Sequence, residues 1–433
     1  MTAGRTIVFF PSPGAVGPTM NLIGIAQGLQ ELGHRPVFLL DPCLSGLARG
    51  FGLHEVLVSC LPQLAPEAFA RLLAEFLRDA LAAFRTSAYE QIESYVRTCL
   101  EATIESVRCS QETLPAVLAR LKPDLIIKDN VALYPATEMA GCPWVRMISC
   151  CESELRDPAI PAYLSGCHEG DPRGSEDFMR RFTEVIHPVH ERFNTLVRST
   201  GHAPVPWPDF DSPSPYLNLL LYPEALRYRR RNPLDARTFQ YLDGCIRSDG
   251  EPYVLPEFKR HSDRPLVYLT FGSMGVADVD LLKRMIGTLG RLPYRVLVNV
   301  GHLIGEYSEI PDNVQLAAWL QQTAVIPQCE VVIQHGGNNT LNETLYYGKR
   351  PIVMPFAWDG HDNAVRIDDT RHGVRLPRYE WTEPQLAGAL ESVLTDETIN
   401  RNLARTSRHM QAQNGRARAA RLIDDLLRTA CAS

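Results

Sequence analysis

No stretch of this chain approaches the roughly 18 consecutive apolar residues of a membrane-spanning helix, so no span is expected. The one apolar run near the start, Ile7 to Phe10, stops at Pro11. It is too short for a secretory core of about 7–15 residues, and the expectation is a soluble, cytoplasmic protein. There is no basic block: 44 Lys and Arg stand against 50 Asp and Glu, a net charge of −6. Nucleic-acid binding by bulk charge is therefore not expected, and the short run Arg229-Arg230-Arg231 reads as a solvated face. The 11 cysteines include no Cys-x-x-Cys pair and no Cys/His cluster at zinc spacing. They read as reduced core thiols, the adjacent Cys150 and Cys151 pointing to opposite faces of a strand.

What is present is a chain of 433 residues, 45% apolar and 22% charged, the balance of a globular protein. At roughly 150 residues per domain it holds two or three cores. Ile7–Phe10 reads as a buried parallel strand, PSPGAVGPT as a loop, and Leu22, Ile25, Ala26, Leu29 and Leu32 recur at helical spacing before Gly33. Val37–Leu40 resumes as a strand, completing a right-handed βαβ unit. A second unit runs through Leu125–Ile127, a helix at Ala136–Ala140 and a strand at Trp144–Ile148, with residues 67–120 as a helical insertion.

Residues 200–263 are rich in Pro, Ser and Asp and read as surface loops and a connector. Strands are then predicted at Leu266–Phe271, Arg295–Val300, Val331–Gln334 and Pro351–Met354, with a helix at Leu281–Leu289 and a helical tail over 401–430. This is an α/β fold of two tandem doubly wound domains. Ligands in such sheets bind at the carboxyl ends of the strands, so the cleft between domains is the expected site.

The most informative stretch is 331–367. A buried strand runs into His335, Gly336 and Gly337 permit a tight turn, and Asn338, Asn339 and Thr340 are placed to cap the helix that follows. A helix start preceded by glycines suits a phosphate or diphosphate, to which His335 would add a charge-assisted bond. Glu343, three residues beyond Thr340, either accepts from ribose hydroxyls or closes a capping box with Thr340; the spacing alone leaves both open.

This segment resembles the donor-binding signature of the GT-B-fold UDP- and TDP-sugar glycosyltransferases, the group that includes bacterial macrolide and antibiotic glycosyltransferases and the UDP-glycosyltransferases of plants and mammals. The likeness covers nearly the whole chain and is strongest over 265–376. It implies two Rossmann-like domains facing each other across a cleft: an acceptor domain at 1–225, a linker at 226–263, a donor domain at 264–410, and a C-terminal helix at 411–433 packing back on the first domain. It implies that His335, Gly336 and Gly337 bind the diphosphate with Asn339 and Thr340, and that Glu343 takes the ribose. Trp319 and Gln322 would hold the nucleobase, although Gln321 stands where the family keeps a proline. Ser273 sits at a phosphate-contacting position, and Asp359 would bind sugar hydroxyls. Gly360 replaces the sugar-reading Gln of the family, with His361 as its substitute. Asp278-Val279-Asp280 imitates a metal-binding Asp-x-Asp but starts a helix, where acids suit the dipole. No metal or other cofactor is expected.

The family's catalytic His, three residues before a loop proline, aligns with Ala15 when that proline is Pro18, next to Gly14 in the acceptor loop. No histidine precedes His34, so the usual His–Asp dyad cannot operate. Asp129, where the family keeps the Asp that orients its His, is the candidate base, with Lys128 expected on the opposite face of the strand. Alternatively the acceptor needs little deprotonation, or the chain is a noncatalytic sugar-nucleotide-binding accessory protein. The resulting expectation is an inverting transferase moving a hexose from a UDP- or TDP-sugar to a small natural-product-like acceptor, compatible with a homodimer. Residues 60–120 and 150–200 are expected around the acceptor, and their aromatics, including Phe69, Phe84, Tyr89, Tyr95 and Phe182, read equally as core or as acceptor contacts.

Overall fold

Short runs of Val, Ile, Leu and Phe become parallel strands because helices cover both faces of each sheet, so no face is left to alternate with water. The computed structural model describes residues 4–61, 66–250 and 252–430, with backbone alone at 66–70, 73 and 430. Strand β1 (Thr6–Pro11) is buried over all but its first residue. With β2 (Arg35–Leu40), β3 (His54–Leu57), β4 (Leu125–Asp129), β5 (Trp144–Ile148), β6 (Leu217–Leu220) and β7 (Phe239–Tyr241) it forms a seven-stranded sheet in the order β3-β2-β1-β4-β5-β6-β7. A second, six-stranded sheet contains β8 (Leu266–Thr270), β9 (Arg295–Asn299), β10 (Val314–Ala317), β11 (Val331–Gln334), β12 (Arg350–Val353) and β13 (Val374–Arg375), in the order β10-β9-β8-β11-β12-β13. Every pairing in both sheets is parallel.

Both orders reverse direction at their centre, between β1 and β4 and between β8 and β11, where a crevice opens beyond the strand ends. Register sets what meets there. Pro11 lies beside Asp129, and Thr270 beside Gln334, so the loops after β1 and β8 face Asp129 and His335.

Nine helices carry the argument below. α1 (Val16–Glu31) follows β1; α2 (Pro66–Ala83), α3 (Arg97–Leu121) and α4 (Pro172–Ser199) belong to the first half. α5 (Val279–Leu289), α6 (Asn338–Tyr346), α7 (Asp359–Asp369), α8 (Glu397–Gln413) and α9 (Gly415–Ala430) follow. The tail is two helices rather than one, broken at Asn414, whose φ of 46° is left-handed. α9 buries Ala419, Ala420, Ile423 and Leu427 in the core of the first sheet, with Ile7, Leu22 and Val145. Gly28 on α1 lets it approach, since a Cβ there would stand 2.9 Å from the Arg416 carbonyl.

The stretch read as loops and connector contains two strands. β6 and β7 extend the first sheet beyond β5, and β7 lies inside the expected linker 226–263. Its three residues are only half-buried, and it is backbone pairing to β6 rather than an apolar run that makes it a strand. Likewise β3 has no fully buried residue and β13 spans two residues, too little for periodicity to reveal. No helix among the described residues is long and apolar enough to cross a membrane.

Candidate active site

A cavity of about 590 Å³ opens between the two halves. It is of the size that takes a ligand such as a nucleoside diphosphate. β11 delivers His335 to its floor, and Gly336, at φ 90°, turns the chain into α6. The His335 ring is wedged between Gly272 and Gly337; a Cβ on Gly272 would lie 2.7 Å from the ring carbon Cε1. Behind it the ring stacks on Phe356 at 5.0 Å. Burial, with the nearby Arg378 charge, pushes the imidazole down to about 3. His335 is therefore neutral at physiological pH, so in a bond to a phosphate the charge would come from the phosphate alone.

The start of α6 also differs from the expectation. Gly337 is its N-cap and no side chain caps it. Asn338 donates instead to the Leu221 carbonyl (2.6 Å), Asn339 to the Gly17 carbonyl of the first half (3.0 Å), and Thr340 meets Gln322 (3.4 Å). Thr340 is the third residue of the helix, so the Thr340–Glu343 capping box does not form. With no side chain over it, this helix end is left for an anion in the cavity, which Gly337, Asn338, Asn339 and Thr340 all line. Ser273 lines the same cavity from the loop after β8.

At the other end of the cavity Trp319 is 63% exposed and Gln322 lies beside it. Glu343, 2% exposed, does not face the cavity freely. One carboxylate oxygen pairs with Arg247 and the other accepts from Gln322 (3.2 Å). Arg247 is also bonded through Nε to Asp249 (3.0 Å), which accepts from the backbone N–H and hydroxyl of Thr323 (2.9 and 2.6 Å). Arg247 lines the cavity, so a connector residue stands at the expected ribose end. Sequence reasoning missed it, because nothing in the composition of a connector marks one buried cation.

Toward the first half, Asp359 begins α7 and lines the cavity; burial and the Asp362 charge push its carboxyl up to about 8. Near neutrality it is protonated and can donate. Gly360 is required by close approach, a Cβ there standing 2.7 Å from the His335 carbonyl, so the Gln of related proteins has no room here. His361 does not stand in for it. Its ring hydrogen-bonds Gln91 (3.0 Å) and does not line the cavity. Asp278 is the N-cap of α5 and accepts from Tyr379 (2.6 Å), while Asp280 is exposed in the first helical turn.

Asp129, 5% exposed, ends β4 just behind the cavity wall. Ser149 donates to Oδ1 (2.8 Å) and Asn21 to Oδ2 (3.4 Å), and both line the cavity. Burial is the main reason its carboxyl is pushed up to about 7. Lys128 points the other way, paired with Glu138 (2.5 Å) and Asp211 (2.9 Å). Ala15 is the N-cap residue of α1 and Gly14 precedes it at φ 73°; the cavity is lined not by these two but by Val16, Gly17 and Pro18.

A second cavity of about 280 Å³ lies in the first half, with Phe182, Phe210, Tyr163 and Trp358 among its walls and Arg146 and Glu154 at its polar end. Arg230 also lines it and is turned inward to Glu152, which corrects the solvated reading of the Arg229–Arg231 run. Phe84 and Tyr95 instead pack with Phe356 in the core, Tyr89 is exposed, and the Phe69 side chain lies outside the described residues.

Residues 283–425 match the model of the erythromycin biosynthesis protein CIII-like C-terminal domain. The chain is 22% identical over 428 residues to demethyllactenocin mycarosyltransferase of Streptomyces fradiae, covering 97% of this chain and 86% of that protein. It is 24% identical over 426 residues to oleandomycin glycosyltransferase of Streptomyces antibioticus, covering 95% and 88%. Among solved structures, the kitacinnamycin glycosyltransferase superposes with a TM-score of 0.68 at 20% identity, covering 98% of this chain and all of that one. Glycosyltransferase VinC, solved with dTDP, gives a TM-score of 0.66 at 18% identity, covering 99% and 100%. The two parallel sheets and these likenesses agree: the chain has the GT-B fold and is similar to nucleotide-sugar-dependent glycosyltransferases of the macrolide type.

Proposed function

We propose that the protein is an inverting transferase that moves a hexose from a TDP- or UDP-sugar to a small natural-product-like acceptor, without a resident metal and with Asp129 receiving the acceptor's proton. One observation carries the reading. The uncapped start of α6 and Trp319 stand on one wall of a single cavity, while Asn21 and Ser149, backed by Asp129, stand on the other. A leaving diphosphate on the first wall and an attacking acceptor at the second approach the anomeric carbon from opposite sides, which inverts it. The backbone N–H groups of α6 and the neutral His335 stabilise the departing charge. Asp359, largely protonated near neutrality, donates to a sugar hydroxyl. The dTDP bound to VinC favours thymidine over uridine as the nucleoside.

The test is a donor screen by thermal shift followed by transfer assays with the stabilising donor and a panel of polyketide and phenolic acceptors. A ligand bound only by the native state at 100 times its Kd adds about 2.7 kcal/mol of stability. TDP is expected to raise the melting temperature and a glycosylated product to appear. Donor binding with neither transfer nor hydrolysis would instead support the accessory-protein reading.

Trp319 gives a sharper check. Stacking of a base on an aromatic ring contributes about 1–3 kcal/mol, so Trp319→Ala is expected to weaken TDP binding roughly 5- to 150-fold by titration calorimetry. Trp319→Phe should retain most of it. Unchanged affinity in the alanine variant would remove the indole from the base site.

A further inference from the structure

Asp129 does not itself reach the cavity: the side chains between it and the open space are those of Ser149 and Asn21. Resting on the reading of Asp129 as the base, we infer that Ser149 is the residue that touches the acceptor and passes its proton inward to Asp129. The geometry is that of a two-member relay. Ser149 Oγ donates to Asp129 Oδ1 at 2.8 Å, so the hydroxyl proton already points at the carboxylate, and the lone pairs of Oγ are left for a proton arriving from the cavity. Asn21, from the second turn of α1, holds Oδ2 and fixes the plane of the carboxylate. The backbone fixes its depth, since the Asp129 carbonyl accepts from the Ser12 N–H at 2.9 Å. On the cavity side the neighbour of Ser149 is Cys150, and Asp359 at the sugar end lines the same space.

The step balances without any co-reactant. The acceptor O–H gives its proton to Ser149 Oγ as the Ser149 hydroxyl proton moves to Asp129 Oδ1. The acceptor oxygen forms its bond to the anomeric carbon, and the bond from that carbon to the diphosphate oxygen breaks, its electron pair leaving on TDP. Asp129 ends protonated and Ser149 ends as it began, so the serine is a conduit and the carboxylate is the base. Burial of Asp129 supports this, since a carboxyl titrating at about 7 matches a proton taken near neutral pH far better than an ordinary one. The pair also accounts for Ala15: a base reached from β5 and β4 needs no side chain from the loop after β1.

The experiment compares wild type, Ser149→Ala, Ser149→Thr and Asp129→Asn with TDP-glucose and two phenols, 2-naphthol, which is protonated near neutral pH, and 4-nitrophenol, which is largely ionised slightly above it. Ser149→Ala is expected to lower kcat for 2-naphthol about 100-fold or more, with the KM for TDP-glucose unchanged, because general base catalysis contributes 10²–10⁴-fold. Transfer to 4-nitrophenol should fall by no more than a few fold, and Ser149→Thr, which keeps the hydroxyl, should restore 2-naphthol. Equal losses on both phenols would mean that Ser149 is structural and would overturn the relay. Full activity of Ser149→Ala on 2-naphthol with Asp129→Asn inactive would overturn the relay while leaving Asp129 as base. Full activity of Asp129→Asn would overturn the base itself, and no transfer by wild type to either phenol or to the wider acceptor panel would overturn the transferase reading beneath both.

Discussion

Asp129→Asn is expected to lower kcat by about 10²–10⁴-fold while leaving TDP affinity unchanged, because on the proposed reading the carboxylate serves proton transfer, and it lies apart from Trp319 and the start of α6. The substitution keeps size and one acceptor oxygen, so Ser149 still has a partner. On the same reading the active form of the wild type is the carboxylate. With the group pushed up to about 7, kcat should rise with pH through that value and level off, and this acid limb should vanish in the variant. Stability moves the opposite way. A carboxyl raised in the folded state, against about 4 when unfolded, is protonated when folded and ionised when unfolded between the two values. The fold therefore loses stability as pH rises through that window, and Asp129→Asn, which cannot ionise, should be at least as stable as wild type at pH 8. A variant that both unfolds and loses turnover would point to a structural carboxylate.

The largest stability effect is expected from Arg247→Met. Arg247 is the cation between two buried acids, Glu343 and Asp249, whose side chains are 2% and 4% exposed. Removing one partner of a buried pair leaves an uncompensated charge and costs about 3–5 kcal/mol. For a domain of this size that is a fall in melting temperature on the order of 10 °C. Burial raises the Glu343 carboxyl and Arg247 is what opposes it, so without the arginine Glu343 should take up a proton more readily and the deficit should shrink as pH falls. The double variant Arg247→Met/Glu343→Gln, which removes both charges, should recover much of the loss. Calorimetry across pH reads all three. A melting temperature for Arg247→Met within a degree of wild type would show that the pair contributes nothing.

Much of the fold was legible because its signals are local. Trp144–Ile148 and Val331–Gln334 are strands over the predicted residues, since a continuous apolar run between breakers leaves the chain little choice. β6 and β7 were missed: β6 is a buried run of only four residues set among prolines and serines, and β7, half-buried, exists through its backbone pairing to β6. The proposed donor site divides the same way. The Gly-Gly turn after a buried strand announced the helix start that opens on the cavity, and Trp319, Gln322, His335, Asn339, Thr340, Asp359 and Ser273 do line that one cavity. The charge of His335, the partner of Glu343 and the direction of His361 depended on burial beside Arg378, on Arg247 and on Gln91, neighbours in space rather than in sequence.

The sequence by itself determined two doubly wound α/β halves, most of their central strands and a helix that starts at a glycine turn, because strand burial and glycine turns follow from residues a few positions apart. It also determined that no histidine serves the first loop. Only the tertiary structure brought together the group proposed to take its place. Asn21, Asp129 and Ser149 are separated by up to 128 positions and meet because β1, β4 and β5 lie side by side and end at one crevice. Hydrogen bonds of about 3 Å between such residues, and the burial that sets their charge, belong to the packed chain and to no shorter part of it.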